Sequence, residues 1–134
     1  MHDSSQRLAI AMLLLAGCST LAISFSAPTG MQPAWAAGPL APLVWHRHLL
    51  LAVLGAGLLA AVFLPGLRVA AAIAAIVDKA GFLAASLVTG ASLSRLQWVD
   101  AAMLAGLAVA AAVLARRARQ EARWEGVLPL RPEA

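Results

Sequence analysis

Four long runs of apolar residues, separated by short polar or proline-rich segments, dominate the hydropathy pattern of this 134-residue chain. The runs cover about residues 8–25, 47–64, 69–88 and 98–115. At 1.5 Å per residue, a helix of about 18 residues crosses roughly 27 Å of hydrocarbon, which is close to the thickness of a bilayer core. The pattern therefore predicts an all-α fold, an integral membrane four-helix bundle that forms a single transmembrane domain over residues 1–134.

Prolines, glycines and charged residues mark the ends of these runs. The segment between the first two runs contains residues that cannot continue a helix: Pro28, Gly30, Pro33, Gly38, Pro39 and Pro42. Trp45 and the cluster His46-Arg47-His48 open the second run, and Pro65-Gly66 closes it. Arg116-Arg117 ends the fourth run. These boundaries predict a loop before the second helix, and a first turn of that helix that is hydrated at the membrane surface.

The third run carries Asp78-Lys79 near its middle. A charge at the bilayer centre costs about 2.5 to 3.5 kcal/mol on insertion scales, and the flanking Ala, Ile, Val and Leu offset this cost. The alternative is a pair of half-helices that enter and leave on one side. Such a pair would have to bury its non-helical backbone in protein. A single span is therefore the preferred interpretation of residues 69–88.

Composition supports a membrane location. The chain is 62% hydrophobic and 12% charged, with a mean hydropathy of +0.84, so it has too few polar residues to coat a water-soluble globule. The formal charge of +4 is compatible with nucleic acid binding, but most arginines follow the last apolar run. We therefore expect the lipid bilayer and its anionic headgroups as partners, and no nucleic acid.

The positions of the basic residues predict the orientation. Arg7, Arg68 and four arginines of a basic tail over residues 116–134 should face the cytoplasm of a bacterium, because loops on that side are enriched in Lys and Arg. Both termini are then cytoplasmic, in the cytoplasmic (inner) membrane. The tail arginines are expected to contact lipid phosphate: Arg116, Arg117, Arg119 and Arg123. The opposite side holds Arg47 and Arg95, and three tryptophans of an interfacial belt, Trp35, Trp45 and Trp98.

Asp78 and Lys79 form the candidate intramembrane polar site. Asp78 shares its helical face with small residues, which are typical of helix contacts: Ala71, Ala74, Ala75, Gly81 and Ala85. It should therefore point into the bundle or into a second copy, either to fix helix packing or to serve a proton or ion pathway. Lys79 lies about 100° round the helix from Asp78. We find no opposite charge at comparable depth in the other spans, which favours water, backbone carbonyls, snorkelling or Asp78 of a homo-oligomer as its partner.

Other small residues recur every fourth position in two of the predicted spans. They are Ala52, Ala56 and Ala60 in the second span, and Ala102, Gly106 and Ala110 in the fourth. Such rows let helix backbones approach closely. Asp100 falls in the first turn of the predicted fourth helix, where a carboxylate suits the positive end of the helix dipole.

Cys18 offers a competing interpretation of the first span. Residues 1–7 form a short basic segment, residues 8–14 an apolar one, and Leu15-Ala16-Gly17-Cys18 matches a lipobox, after which a lipoprotein would be cleaved and acylated at Cys18. The residues that follow stay apolar up to Phe25 instead of becoming a polar tether. A retained span is preferred, and lipidation remains the alternative.

Catalytic patterns are missing from the sequence. It has no Gly-rich phosphate loop with a Lys, no plausible Ser/His/acid set and no metal-ligand spacing. His46 and His48 are two residues apart and project to different sides of a helix. We expect no enzyme, no cofactor and no metal site.

From the second run onward the chain resembles a group of uncharacterised small bacterial four-helix membrane proteins, DoxX-like in general character. The resemblance rests on His46-Arg47-His48, Leu64 to Arg68, Gly81-Phe82-Leu83, and Arg95 followed by Asp100. It implies a fold and a location but no established function. The leading hypothesis is a non-enzymatic structural or accessory membrane protein. A small proton- or ion-coupled transporter that uses Asp78, or a lipoprotein anchored at Cys18, are the alternatives.

Overall fold

The computed structural model describes residues 2–26, 39, 41–89 and 95–125, and this part of the chain contains four α-helices and no strand. The helices are α1 (His2–Ser26), α2 (Ala41–Phe63), α3 (Arg68–Val88) and α4 (Arg95–Glu125). Each is long and apolar enough to cross a membrane. The all-α, four-helix prediction is therefore confirmed.

Three helices extend well beyond their predicted ends, and the first of them, α1, begins at His2 instead of residue 8. Helix α2 begins at Ala41 instead of residue 47, because Pro42 falls in its first turn, where a missing N–H breaks no helical hydrogen bond. Helix α4 runs ten residues past the predicted end at 115, since the Ala, Arg, Gln and Glu residues there are good helix formers. The predicted loop around Trp35 and the last part of the predicted tail, 126–134, lie outside the described residues.

The core lies where all four helices meet. Helix α1 packs against α2 and α4, α2 against α3, and α3 against α4, so each helix has two helical neighbours. Leu13, Leu58 and Leu107 are the largest fully buried side chains. Helix α1 contributes Ala9 and Ala16 in addition to Leu13, so the first apolar run is part of the core.

A close helix contact joins α1 and α2 at Gly17 and Gly55. A Cβ added to Gly17 would lie 3.2 Å from the Gly55 carbonyl oxygen, and one added to Gly55 would lie 3.1 Å from the Gly17 carbonyl oxygen. The prediction that Ala52, Ala56 and Ala60 form the close contact of α2 is wrong, because Ala56 is exposed. The buried face of α2 is rotated by one residue so that Gly55 faces α1.

The predicted row in α4 is confirmed in part. Gly106 packs directly against the end of the Met12 side chain, and Ala110 is buried in the core. Ala102 is exposed. The α1–α4 interface also holds a polar contact, from the Ser19 hydroxyl to the Met103 sulfur at 3.6 Å.

A tight corner joins α2 to α3 through a 3-10 turn at Pro65–Leu67. Arg68 folds back over this corner, where Nε donates to the Ala61 carbonyl at 3.2 Å and Nη2 to the Val62 carbonyl at 3.0 Å. The last carbonyls of a helix have no partner within it, so Arg68 supplies the donors that α2 lacks at its end.

One end of the bundle gathers the positions that the sequence predicts to be cytoplasmic. Gln6 of α1 accepts a hydrogen bond from Arg117 of α4, and a cavity of about 260 Å³ beside them is also lined by Pro65 and Arg68 of the α2–α3 corner. The beginning of α1 and the end of α4 therefore lie at the same end of the bundle.

Candidate intramembrane polar site

A buried ion pair links α3 to α4. Lys79 Nζ lies 2.5 Å from Asp100 Oδ1, and the two side chains are only 7% and 13% exposed. The expectation that no opposite charge lies at the depth of Lys79 is therefore wrong. Helix α4 begins at Arg95, so Asp100 lies in its second turn instead of its first, and it meets the middle of α3.

Asp78 is placed differently from its neighbour. Its side chain is exposed and makes no hydrogen bond or ion pair with the described residues. Among the small residues on its face, Ala74, Gly81 and Ala85 are exposed as well, whereas the buried face of α3 holds Ala72, Ala75, Lys79 and Ser86. The expectation that Asp78 points into its own bundle is wrong, because Lys79 and not Asp78 lies on the packed face. A contact of Asp78 with a second copy stays a prediction.

Asp78 and the ion pair nevertheless line one cavity, which we call the polar chamber. Its volume is about 230 Å³, and all four helices contribute to its wall. Its polar residues are Thr20, Arg47, Asp78, Lys79 and Asp100, and its apolar residues are Ile23, Leu51 and Phe82. Asp78 and Lys79, the two residues that the sequence singles out, therefore share this cavity with Arg47 and Asp100, and their role as a functional site stays a prediction.

Arg47 occupies the α2 side of the polar chamber. Its guanidinium carbon lies 4.7 Å from the centroid of the Phe82 ring, within the range of a cation–π contact between α2 and α3. Arg47 has no carboxylate partner within the described part of the chain. The chamber therefore contains one satisfied ion pair, one unpaired cation at Arg47 and one unpaired anion at Asp78.

Cys18 lies on the exposed side of α1, in the middle of an uninterrupted helix. Its neighbours Ala16 and Gly17 are buried against the rest of the bundle. Cleavage before Cys18 would remove Ala9, Leu13 and Ala16 from the core. The packing of α1 thus favours retention of the segment, and lipid attachment at Cys18 stays a prediction.

The four arginines of the predicted lipid-phosphate contacts lie on α4. Arg116, Arg119 and Arg123 are exposed, while Arg117 is partly buried where it donates to Gln6. A second nitrogen of Arg117, Nη2, is buried without a hydrogen-bond partner among the described residues. Arg117 therefore links the beginning of α1 to the end of α4, and it also contributes to the basic surface of α4.

Metal-ligating side chains do not cluster in the part of the chain that is described: no group of three or more His, Cys, Asp or Glu could hold an ion. The side chain of Arg95, which the sequence places on the same side as Arg47, lies outside the described residues. Comparison with models of protein families, with curated proteins and with solved structures finds no match. The resemblance to DoxX-like proteins accordingly stays a prediction.

Asp100 and Arg47 are the site residues that the sequence pattern missed. A helix that starts at Trp98 has Asp100 in its first turn, so the sequence pattern assigns Asp100 to a helix end. The signal that identifies it is Lys79 itself, since a buried ammonium requires a partner and Asp100 is the nearest acidic residue along the chain after Asp78. Arg47 gives no such signal, because an arginine near the beginning of a helix is as typical of a solvated residue as of one that lines a cavity.

Proposed function

We propose that this chain is a non-enzymatic, multi-pass protein of the bacterial cytoplasmic membrane with a structural or accessory role. The proposal rests on the small share of each helix that is buried by the other helices of the chain. Only 17% of the residues in the most apolar part of α2 and of α3 are buried within the chain, and 33% in α1. Large apolar side chains remain exposed along the helices, among them Val53, Ile73, Val77 and Val109. Lipid or further membrane helices must cover them.

The exposed face of α3 is the best candidate for a contact with another helix. It presents Ala74, Gly81 and Ala85 beside the unpaired Asp78, and an added Cβ at Gly81 would meet no atom within 4 Å. Small residues let a second backbone approach closely, and a carboxylate in the same row can accept hydrogen bonds from it. These features support a homo-oligomer, or a place in a larger membrane complex, through α3.

Cross-linking in native membranes tests this proposal. Gly81→Leu adds bulk only on the exposed face of α3, so it should abolish cross-linked species that the unsubstituted protein forms. Gly57→Leu is the matched control. A Cβ added at Gly57 also meets no atom within 4 Å, but Gly57 lies on α2. If the unsubstituted protein is found only as a monomer, with no partner attached, the accessory role through α3 is contradicted.

A second candidate is a small proton- or ion-coupled transporter that uses Asp78. The observation that favours it is an unpaired carboxylate lining a cavity inside a span, beside the Lys79–Asp100 ion pair. Intramembrane carboxylates of this kind often lie on proton or ion pathways. Liposomes containing the protein should then show a proton or cation flux that Asp78→Asn abolishes and that Glu121→Gln, on the exposed part of α4, leaves intact. Absence of flux, or a flux that Asp78→Asn does not change, contradicts transport.

A further inference from the structure

We propose that the polar chamber binds a zwitterionic group, with the anionic end of the ligand at Arg47 and its ammonium end at Asp78. The inference concerns binding, and it requires neither association with partners nor ion transport. It rests on the two charged side chains of the chamber that have no charged partner of their own.

The charges of the chamber favour a neutral, dipolar ligand over a simple ion. Arg47, Lys79, Asp78 and Asp100 sum to zero in their ordinary ionised forms, and Lys79 and Asp100 already neutralise each other. A bound cation would neutralise Asp78 but leave Arg47 without a counter-charge, and a bound anion would do the reverse. Arg47 and Asp78 are both exposed within the chain itself, so an unpaired charge on either is costly where hydrocarbon or another helix covers it, and a ligand that carries both signs pairs both residues at once.

Arg47 is prepared for an oxyanion by its contact with Phe82. The ring holds the guanidinium over its face without providing an oxygen acceptor. Guanidinium groups bind carboxylate and phosphate oxygens through two parallel N–H donors. The cation–π contact therefore positions Arg47 while leaving it without the anionic partner that such donors bind best.

The chamber has room for a small polar group. Its volume of about 230 Å³ exceeds the roughly 30 Å³ that one water occupies in the liquid several times over. Ile23, Leu51 and Phe82 line it beside the charged residues, so part of the ligand can be apolar. Two chemical sources fit: the phosphoethanolamine headgroup of a membrane lipid, and a free amino acid.

The chamber lies toward the bundle end where α2 and α4 begin. Arg47 and Asp100 both lie in the second turn of their helices, at the opposite end of the bundle from the Gln6–Arg117 contact. A lipid headgroup at that membrane surface can thus reach Arg47, while Asp78 lies deeper along α3. This arrangement places the phosphate of a lipid at the outer part of the chamber and its ammonium at the inner part.

Native mass spectrometry of the full-length protein in a neutral detergent tests the inference. Phosphatidylethanolamine and phosphatidylglycerol with the same acyl chains are titrated separately, and phosphoethanolamine and glycine are added as soluble competitors and as ligands by themselves. Phosphatidylglycerol is expected to bind the arginines of α4, so we expect retention of phosphatidylethanolamine that depends on Arg47 and Asp78 while retention of phosphatidylglycerol does not, or binding of the soluble zwitterions. Displacement by the soluble compounds assigns the site to a small molecule, and retention of the lipid in their presence assigns it to a headgroup.

Two substitutions connect the binding to the chamber. Arg47→Gln and Asp78→Asn should each weaken binding about tenfold or more, since each removes one charge-assisted contact. Glu121→Gln makes the same change of charge as Asp78→Asn on the exposed part of α4 and should bind like the unsubstituted protein. Asp78 is exposed and forms no ion pair with the described residues, so Asp78→Asn should fold normally. It therefore tests the inference even if Arg47→Gln fails to fold.

Three results would overturn the inference. The first is retention of phosphatidylethanolamine that the chamber substitutions change no more than they change retention of phosphatidylglycerol, with no binding of the soluble zwitterions. The second is no binding of any probe. The third is unchanged binding in both chamber variants while their thermal unfolding matches that of the unsubstituted protein. A protein that binds a zwitterion but forms no complex and moves no ions would retain this inference and contradict both proposed functions.

Discussion

Lys79 and Asp100 form a buried ion pair across the α3–α4 interface, with 2.5 Å between Nζ and Oδ1. A single buried charge is costly, and its cost falls sharply when a partner of opposite sign lies within hydrogen-bond distance. The pair therefore fixes how α3 and α4 lie against each other, and it leaves Asp78 as the carboxylate of α3 that is available for other contacts.

Removal of one member of this pair should destabilise the bundle. Lys79→Met leaves the Asp100 carboxylate buried without its cation, and we expect a loss of about 3–5 kcal/mol in the free energy of unfolding. Reversible unfolding in detergent micelles, followed by circular dichroism, measures the change. The double variant Lys79→Met with Asp100→Leu should recover most of the loss, because no charge then remains buried. A single variant as stable as the unsubstituted protein would show that the pair does not fix the interface.

The contact between Gly17 and Gly55 should not tolerate even one methyl group. In Gly55→Ala the new Cβ would lie 2.8 Å from Leu21 Cγ and 3.1 Å from the Gly17 carbonyl oxygen, so the Leu21 side chain must shift and the two backbones must separate slightly. We expect a cost of about 1–3 kcal/mol in the same unfolding measurement. Gly57→Ala, two residues along the same helix, has no atom within 4 Å of the new Cβ and should be neutral or stabilising by up to about 1 kcal/mol. Equal effects of the two substitutions would contradict the close contact.

Arg68 should contribute to stability through the α2–α3 corner. Arg68→Ala removes the donors to the Ala61 and Val62 carbonyls, and hydrogen bonds from charged groups contribute about 1.5–3 kcal/mol each before screening. Since Arg68 is only partly buried, we expect a total loss of about 1–3 kcal/mol in unfolding free energy. Arg116→Ala, at an exposed position, serves as the control and should have little effect. A stable Arg68→Ala variant would mean that the corner forms without these bonds.

The predicted orientation can be checked by labelling single cysteines in a Cys18→Ser background. Ser4→Cys and Gln120→Cys lie at the bundle end of the Gln6–Arg117 contact, and Thr89→Cys follows α3 at the other end. In intact spheroplasts a membrane-impermeant maleimide should react with Thr89→Cys alone, because arginines concentrate on the cytoplasmic side. Reaction of Ser4→Cys and Gln120→Cys before permeabilisation would reverse the orientation, and protection of only one of those two would exclude an even number of crossings.

The number of helices follows from hydropathy alone, because four apolar runs each reach the length of a span. The helix ends are less predictable from the same pattern. Pro42 breaks a helix interior but is tolerated in a first turn, and Arg116 to Arg123 leave the apolar pattern without leaving the helix. Hydropathy records where a helix is apolar, whereas its ends depend on backbone hydrogen bonds that polar residues also form.

The faces of the helices are less predictable still. In a chain this rich in Ala and Gly, rows of small residues occur on several faces, so spacing alone could not distinguish Ala56, which is exposed, from Gly55, which is buried. For the same reason, the spacing of small residues predicts Asp78 on the packed face of α3, whereas Lys79 occupies that face. Side-chain charge alone also fails here, because the requirement of Lys79 for a partner identifies Asp100 only once α4 is known to begin at Arg95.

The mass of the intact protein, extracted gently from its own membrane, tests the four-helix account most directly. We predict the complete chain with α1 retained, because Ala9, Leu13 and Ala16 form part of the core and Gly17 packs against Gly55. A mass that lacks residues 1–17 and carries acyl chains on Cys18 would contradict this account, since the mature protein would then be a lipoprotein without most of α1.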